Sequence, residues 1–262
     1  KGLDIENLLN DAKIQLHAEA DYLLEAESIK NFSGLLKEDS RFCLPKVVDE
    51  LCTSEVLTMT YLEGRPINAL KNEGSELRDS ITGALTELAF KEVFEWGVAQ
   101  TDPNFANYLY TNKGTIQLLD FGATKNYTSD NRQALSKLLQ ACYESNDIKI
   151  IEAARLVGYL SDEESDIYES MILNLLKTAT EPLRVTGLVN FHNSDLAKKM
   201  SDQVVDMRLK QGYGRLPPTE ILFLHRKLGG LYMLLTRVRA QIDIGEIASP
   251  YLGKETTSAG IV

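Results

Sequence analysis

The 262-residue sequence predicts an α+β fold that is mostly helical, and three observations carry that expectation. Short β-branched runs occupy 45–51 and 55–62. Two further apolar runs, "NYLY" and "TIQLL", flank "TNKG" near the middle. After Gly122 helical spacing continues almost to the end.

The elements follow in order. Ile5, Leu8, Leu9, Ala12, Leu16, Ala20 and Leu23 recur every three or four residues, which predicts an amphipathic helix over 3–30. "PKVVDEL" and "EVLTMTYL", separated by "CTS", read as an antiparallel pair of strands. "EGRPIN" then breaks the pattern at Gly64 and Pro66, marking a hinge or domain boundary between 1–62 and 63–262. Ile81, Leu85, Leu88, Ala89, Val93 and Trp96 restore helical spacing over 77–97. "TNKG" supplies Asn112 and Gly114, which tolerate the positive φ of a tight hairpin turn. Helices are expected at 129–145, 147–159, 163–178, 194–211 and 218–241, the last started by Leu216-Pro217-Pro218-Thr219. The Gly-, Ser- and Thr-rich tail from Ala248 is expected to be loose.

Composition narrows the function classes. With 44% apolar and 25% charged residues the chain reads as a water-soluble globular protein. A net charge of −10 argues against a broad electrostatic grip on nucleic acid. Cys43, Cys52 and Cys142 are odd in number and form no C-x-x-C pair, which fits a reducing compartment and three small buried hydrophobes. His17, His192 and His225 are not spaced to chelate a metal together. No run reaches the ~18–20 apolar residues that span a bilayer; "LGGLYMLLT" at 228–236 reads as a buried helix, and no stretch of these residues reads as a signal peptide. The chain opens at Lys1 and its first methionine is Met59, so it is expected to be part of a longer polypeptide.

The chemistry-bearing stretch is "QTDPNFANYLYTNKGTIQLLDFG" at 100–122. Asp102 stands in a proline-containing loop, Asn107 follows five residues later, and Asp120 ends the second hairpin strand before Phe121-Gly122. A hairpin returns its ends side by side, so Asn107 and Asp120 are brought together. Two side-chain oxygens can then hold Mg2+ beside phosphate and water. Asp102 is placed to accept a proton or orient a nucleophile, the arrangement of a kinase-type site for ATP. The plain alternative is turn-forming Asp and Asn with no shared ligand.

Two other features leave alternatives open. Glu19 falls on the apolar stripe of the first helix, where a carboxylate needs a cation or an edge position that reaches water. Asp21, two residues on, points about 200° away and reads as solvated. In "LHRKLGGLYMLL", Arg226 and Lys227 read as snorkelling cations of a buried helix or as a face for an acidic surface. Gly229-Gly230 inside a helix costs ~1–2 kcal/mol against alanine, which calls for a closely packed neighbour.

Four stretches in order, "EADY..EA" at 19–26, "PKVVDELCTSEVLTMTYLEGRPI" at 45–67, 100–124 through "LLDFGAT", and "LHRKLGG" at 224–230, resemble the UbiB-like atypical kinases. The likeness is to the branch tied to coenzyme Q synthesis, which includes mitochondrial members. It implies a protein-kinase-like fold, with 1–62 a remnant of the N-terminal lobe and 63–262 a helical C-terminal lobe. It implies Glu19 as the ion-pair glutamate, Asp21 as the second acid of an E-x-D signature and Asp102 as the catalytic-loop aspartate. Asn107 and Asp120 become magnesium ligands, and Tyr61, Leu62 and Glu63 the hinge that meets adenine. The implied activity is that of a Mg-ATP-dependent ATPase or phosphotransferase supporting ubiquinone synthesis. Its partners would be the nucleotide, a membrane lipid or quinone precursor, and other ubiquinone-synthesis proteins. Its place would be peripheral to a membrane, on a bacterial cytoplasmic or mitochondrial matrix face.

Much of that family reads H-x-D-P-H-P-G-N in the loop, whereas Gln100, Asn104, Phe105 and Ala106 stand here in place of His, His, Pro and Gly. "QTDPN" is itself typical of the coenzyme-Q branch. The family's lysine-glutamine signature, alanine-rich loop and nucleotide lysine all precede the equivalent of Lys1. No Ala-Pro-Glu follows Asp-Phe-Gly, and helical spacing resumes within about eight residues, leaving little room for a peptide-binding segment. A small or lipid-like acceptor, or water, fits better. The rivals are a non-catalytic nucleotide-gated scaffold and a small-molecule phosphotransferase of the aminoglycoside or choline type. The latter usually reads H-G-D where this chain has Gln100-Thr101-Asp102.

Overall fold

The first described residue starts a helix. Asp21, in extended geometry, accepts a hydrogen bond from the Leu23 N–H at 3.0 Å and so caps α1 (Tyr22–Leu35). A carboxylate there satisfies an orphan donor and complements the positive helix end. The computed structural model describes residues 21–211 and 217–253. Of the helix expected over 3–30, the described part is α1, which runs past residue 30 to Leu35; residues 1–20 lie outside the described residues. Ala26, Ile29 and Phe32 form its buried stripe, which leaves Leu23 and Leu24 exposed.

β1 (Phe42–Cys43) was not expected from the pattern, and the two strands expected over 45–62 are replaced by an irregular antiparallel ribbon. Only Val47–Met59 and Thr53–Val56 form bridges, and Asp49–Leu51 make a 3-10 turn. The ladder fails because the Cys52 thiol fills a rung: it lies 3.3 Å from the Val48 carbonyl and accepts from Thr58 N–H at 3.3 Å. Cys43 and Cys52 are thus half-buried, against expectation, and Cys142 is the buried thiol.

β2 (Arg65–Pro66) leads to α2 (Ser75–Phe90), which passes into a π-helical turn at Lys91–Trp96. β3 (Val98–Gln100) enters the loop of Asp102, and β4 (Tyr108–Tyr110) and β5 (Ile116–Leu118) form the expected hairpin, with Gly114 at φ +85° in its turn. β6 (Thr124–Asn126) follows at once. The four-stranded sheet has the order β1-β5-β4-β2; β1 runs parallel to β5, and the other pairs are antiparallel. β3 and β6 pair separately, Gln100 opposite Thr124.

The helical array follows the expected order as α3 (Ser129–Tyr143), α4 (Asp147–Val157) and α5 (Asp166–Ala179). Next come β7 (Val189–Asn190), α6 (Leu196–Gln211), α7 (Thr219–Val238), β8 (Gln241–Ile242) and α8 (Ile244–Ala248). β7 and β8 pair antiparallel. The tail is not loose at its start: Ala248 and Tyr251 are buried, and Tyr251 stacks on Phe90 at 5.4 Å.

Two apolar clusters result. One joins α1, the sheet and α2 through Ile29, Phe32, Ile81, Ile116 and Phe121. The other joins α3, α4 and α5 through Leu135, Ile150 and Ile172. α7 serves both, giving Ile221 and Leu224 to the second and Leu234, Leu235 and Val238 to the first. It is not wholly buried, since Leu228 and Met233 face solvent.

Candidate active site

The hairpin decides the meeting of the functional groups. Tyr108 pairs with Leu118, and the Leu119 N–H donates to the Asn107 carbonyl at 3.0 Å, so the strand ends close on each other. Asp102, Asn107 and Asp120 consequently line one cavity of about 40 Å3. Asn107 is buried and donates through Nδ2 to Asp102 Oδ2 at 2.8 Å. That leaves its Oδ1 as the atom to offer a cation. Asp102 Oδ1 accepts from Arg226 at 2.8 Å. Both oxygens of Asp102 are held.

The turn after β5 is held from two sides. Asp120 Oδ1 accepts from Gly122 N–H at 3.0 Å, and Glu25 Oε1 accepts from Phe121 N–H at 3.3 Å. A Cβ built on Gly122 would stand 3.5 Å from Glu25 Oε2 and 3.6 Å from Asp120 Oδ1, so the two carboxylates flank this glycine. Burial, then the charge of Asp120, push the Glu25 carboxyl above the usual range, against the opposing Phe121 N–H. Tyr108 is raised too, by burial first and then by Glu92, Asp102 and Asp120, so it stays a phenol.

Thr101 fastens the loop, its N–H and hydroxyl both donating to the Ala123 carbonyl at 2.8 Å. Gln100 fastens it again: Nε2 donates to the Asp102 carbonyl at 3.1 Å, and Oε1 accepts from the Tyr108 hydroxyl at 3.3 Å. α7 lies along the loop's other side. Arg226 reaches Asp102, Gly230 abuts Pro103, and Arg237 sits 6.0 Å over the Phe105 ring. These positions recur on one helical face. Arg226 and Lys227 are thus not snorkelling cations, and Pro103 is the neighbour that Gly230 required.

The donor set suits a hard cation. Among the described residues no group of three or more His, Cys, Asp and Glu side chains is disposed around a metal. Magnesium does not need one, because it keeps waters and phosphate oxygens beside one or two protein ligands. Asn107 and Asp120 supply oxygen only, and the crowding of Glu25 against Asp120 favours a positive charge there.

Residues 1–154 match the family model described as the ABC1 atypical kinase-like domain. The chain belongs to the ABC1 atypical kinase-like family. "Atypical kinase coq-8, mitochondrial" of Caenorhabditis elegans is 32% identical over 253 residues, 94% of this chain and 33% of that protein. "Atypical kinase COQ8, mitochondrial" of Schizosaccharomyces pombe is 33% identical over 258 residues, 96% of this chain and 41% of that protein. The chain thus spans well under half of each. The Mycobacterium tuberculosis protein Rv3197, solved with erythromycin, superposes with a TM-score of 0.77 at 19% identity, over 98% of this chain and 64% of that one. That likeness speaks for the fold, which is α+β and kinase-like.

In this ABC1 chain the other anticipated positions fall as follows. Glu19 lies outside the described residues. Asp21 caps α1. Tyr61 is 89% exposed, Leu62 is half-buried, and the Glu63 carbonyl accepts from Gln117 Nε2 at 3.0 Å. Glu25 was missed, although its signal was present: it lies four and seven residues before Ile29 and Phe32, on the buried stripe. The phase inferred from Leu16 and Leu23 does not describe this helix, which Asp21 caps and in which Leu23 is exposed.

Proposed function

We propose that the chain forms the phosphate- and metal-binding part of a Mg-ATP-dependent ATPase or phosphotransferase supporting ubiquinone synthesis. The observation that carries this reading is the closure of Asp102, Asn107 and Asp120 on one cavity, with Glu25 against the Asp-Phe-Gly turn. Asn107 and Asp120 would hold Mg2+, which would supply positive charge against that of the phosphates. Asp102 would orient the attacking hydroxyl or water and accept its proton. The new bond joins that oxygen to the γ-phosphorus as the β–γ bridging bond breaks, and ADP leaves. Tyr61 and Leu62 offer backbone groups to adenine, while the Glu63 carbonyl is engaged by Gln117.

The acceptor is small, lipid-like, or water. β6 begins two residues after Gly122 and pairs back on β3, so the segment that would lay out a peptide is spent as an edge strand. Under this reading the partners are the nucleotide, a quinone precursor or membrane lipid, and other ubiquinone-synthesis proteins. The protein acts at a membrane surface facing a reducing compartment; among the described residues no helix is long and apolar enough to cross it.

The test is Asp102→Asn in the full-length protein, with products analysed. Hydrolysis or transfer should fall by about 100-fold or more, with nucleotide binding kept. Unchanged hydrolysis would deny Asp102 a catalytic role, and negligible turnover in the parent protein would favour the nucleotide-gated scaffold. A phosphorylated small alcohol among the products would favour the aminoglycoside- or choline-type rival.

A further inference from the structure

Beneath the catalytic loop lies a buried ion pair that the proposed reaction does not use. Glu92 is 2% exposed and Lys227 9%, and their side chains meet as a salt bridge. Glu92 is carried by the π-helical turn after α2, and Lys227 by α7. Such a pair is weakly justified by stability alone, since desolvation of both charges offsets their attraction and an apolar pair of similar size often does as well.

Its remaining contacts converge on one residue. Lys227 Nζ donates to the Gln100 carbonyl at 2.8 Å while it pairs with the Glu92 carboxylate. The peptide group that follows Gln100 is therefore gripped by the ion pair through Lys227, which Glu92 holds in place. The Gln100 side chain passes the constraint on, to the Asp102 carbonyl and the Tyr108 hydroxyl. Lys227 Nζ is engaged by the Glu92 carboxylate and the Gln100 carbonyl.

We infer that Glu92 and Lys227 are positioning residues for Asp102, acting through Gln100, so that the pair from the π-helical turn and α7 sets the geometry of the catalytic loop. The inference rests on the role proposed for Asp102. Small displacements of a reacting group are costly in rate, about 100-fold for 1 Å.

The test replaces the pair by apolar residues of similar volume, Glu92→Leu with Lys227→Met, in the full-length protein. The expected result is an unfolding temperature unchanged or raised. kcat for ATP should fall by about 30- to 100-fold while KM stays within about threefold. Amide exchange across 100–107 should be faster. Unchanged exchange, or faster exchange with kcat retained, overturns the inference. Should the double variant not fold, Gln100→Met leaves the ion pair intact and cuts the relay to Asp102; there a retained kcat overturns it. Exchange reads the loop whether or not ATP is turned over. Insensitivity of turnover to Asp102→Asn would strike the proposed function instead.

Discussion

Gly229 and Gly230 are neighbours in α7 and are not equivalent. A Cβ on Gly230 would stand 2.1 Å from the Pro103 Cβ, whereas one on Gly229 meets nothing within 4 Å. Gly230→Ala should therefore push α7 off the Asp102 loop, costing about 1–3 kcal/mol and, under the proposed function, lowering turnover. Gly229→Ala should stabilise by up to ~1 kcal/mol through helix propensity, with activity kept. Chemical denaturation with parallel turnover measurements checks both. The repeated glycine was visible in the chain, but not which of the two is needed, because Pro103 is distant along it. Glu25 teaches the same: its place on the stripe of Ile29 and Phe32 was readable, and the Phe121 N–H it meets was not.

Among the elements, the loop before β1 is tied to the end of α2 by a charge cluster. Arg41 bonds Asp39 at 2.7 Å and Glu87 at 2.6 Å, and Lys91 joins both acids. The Arg41 bond holds the Asp39 carboxyl down, from its usual 3.8 to about 2. The folded state keeps that carboxylate to lower pH than the unfolded chain does. Its contribution is thus complete above the ordinary carboxylate range and is lost as pH falls towards 2. Arg41→Met should flatten the acid limb of the stability curve between about pH 4 and 2 and cost about 1 kcal/mol at neutral pH, the pairs being partly solvated. Urea unfolding across that range is the measurement. The helices here were readable because each carries a 3.6-residue apolar period. The strands at 45–62 were not, because their β-branched texture is interrupted by a thiol that takes a backbone's place in the ladder.

Across the whole molecule, the two apolar clusters divide the labour. Ile116 and Ile150 are both fully buried, one in the sheet beside the site and the other on the inner face of α4. Ile→Val at either should cost about 0.5–1.5 kcal/mol. If the proposed function holds, Mg-ATP should raise the unfolding temperature, and only Ile116→Val should also reduce that rise, since β5 delivers Asp120. Equal nucleotide responses in the two variants would deny the clusters separate roles. Residue order along the chain was enough to announce the helical array, the hairpin and the trio Asp102, Asn107 and Asp120, because periodicity, turn chemistry and short spacings are local properties. Folding in space alone disclosed that α7, more than a hundred residues downstream, supplies Arg226 to Asp102 and Lys227 to Gln100. No local pattern encodes a contact across that separation, since it exists only once two buried cores have brought the helix and the loop together.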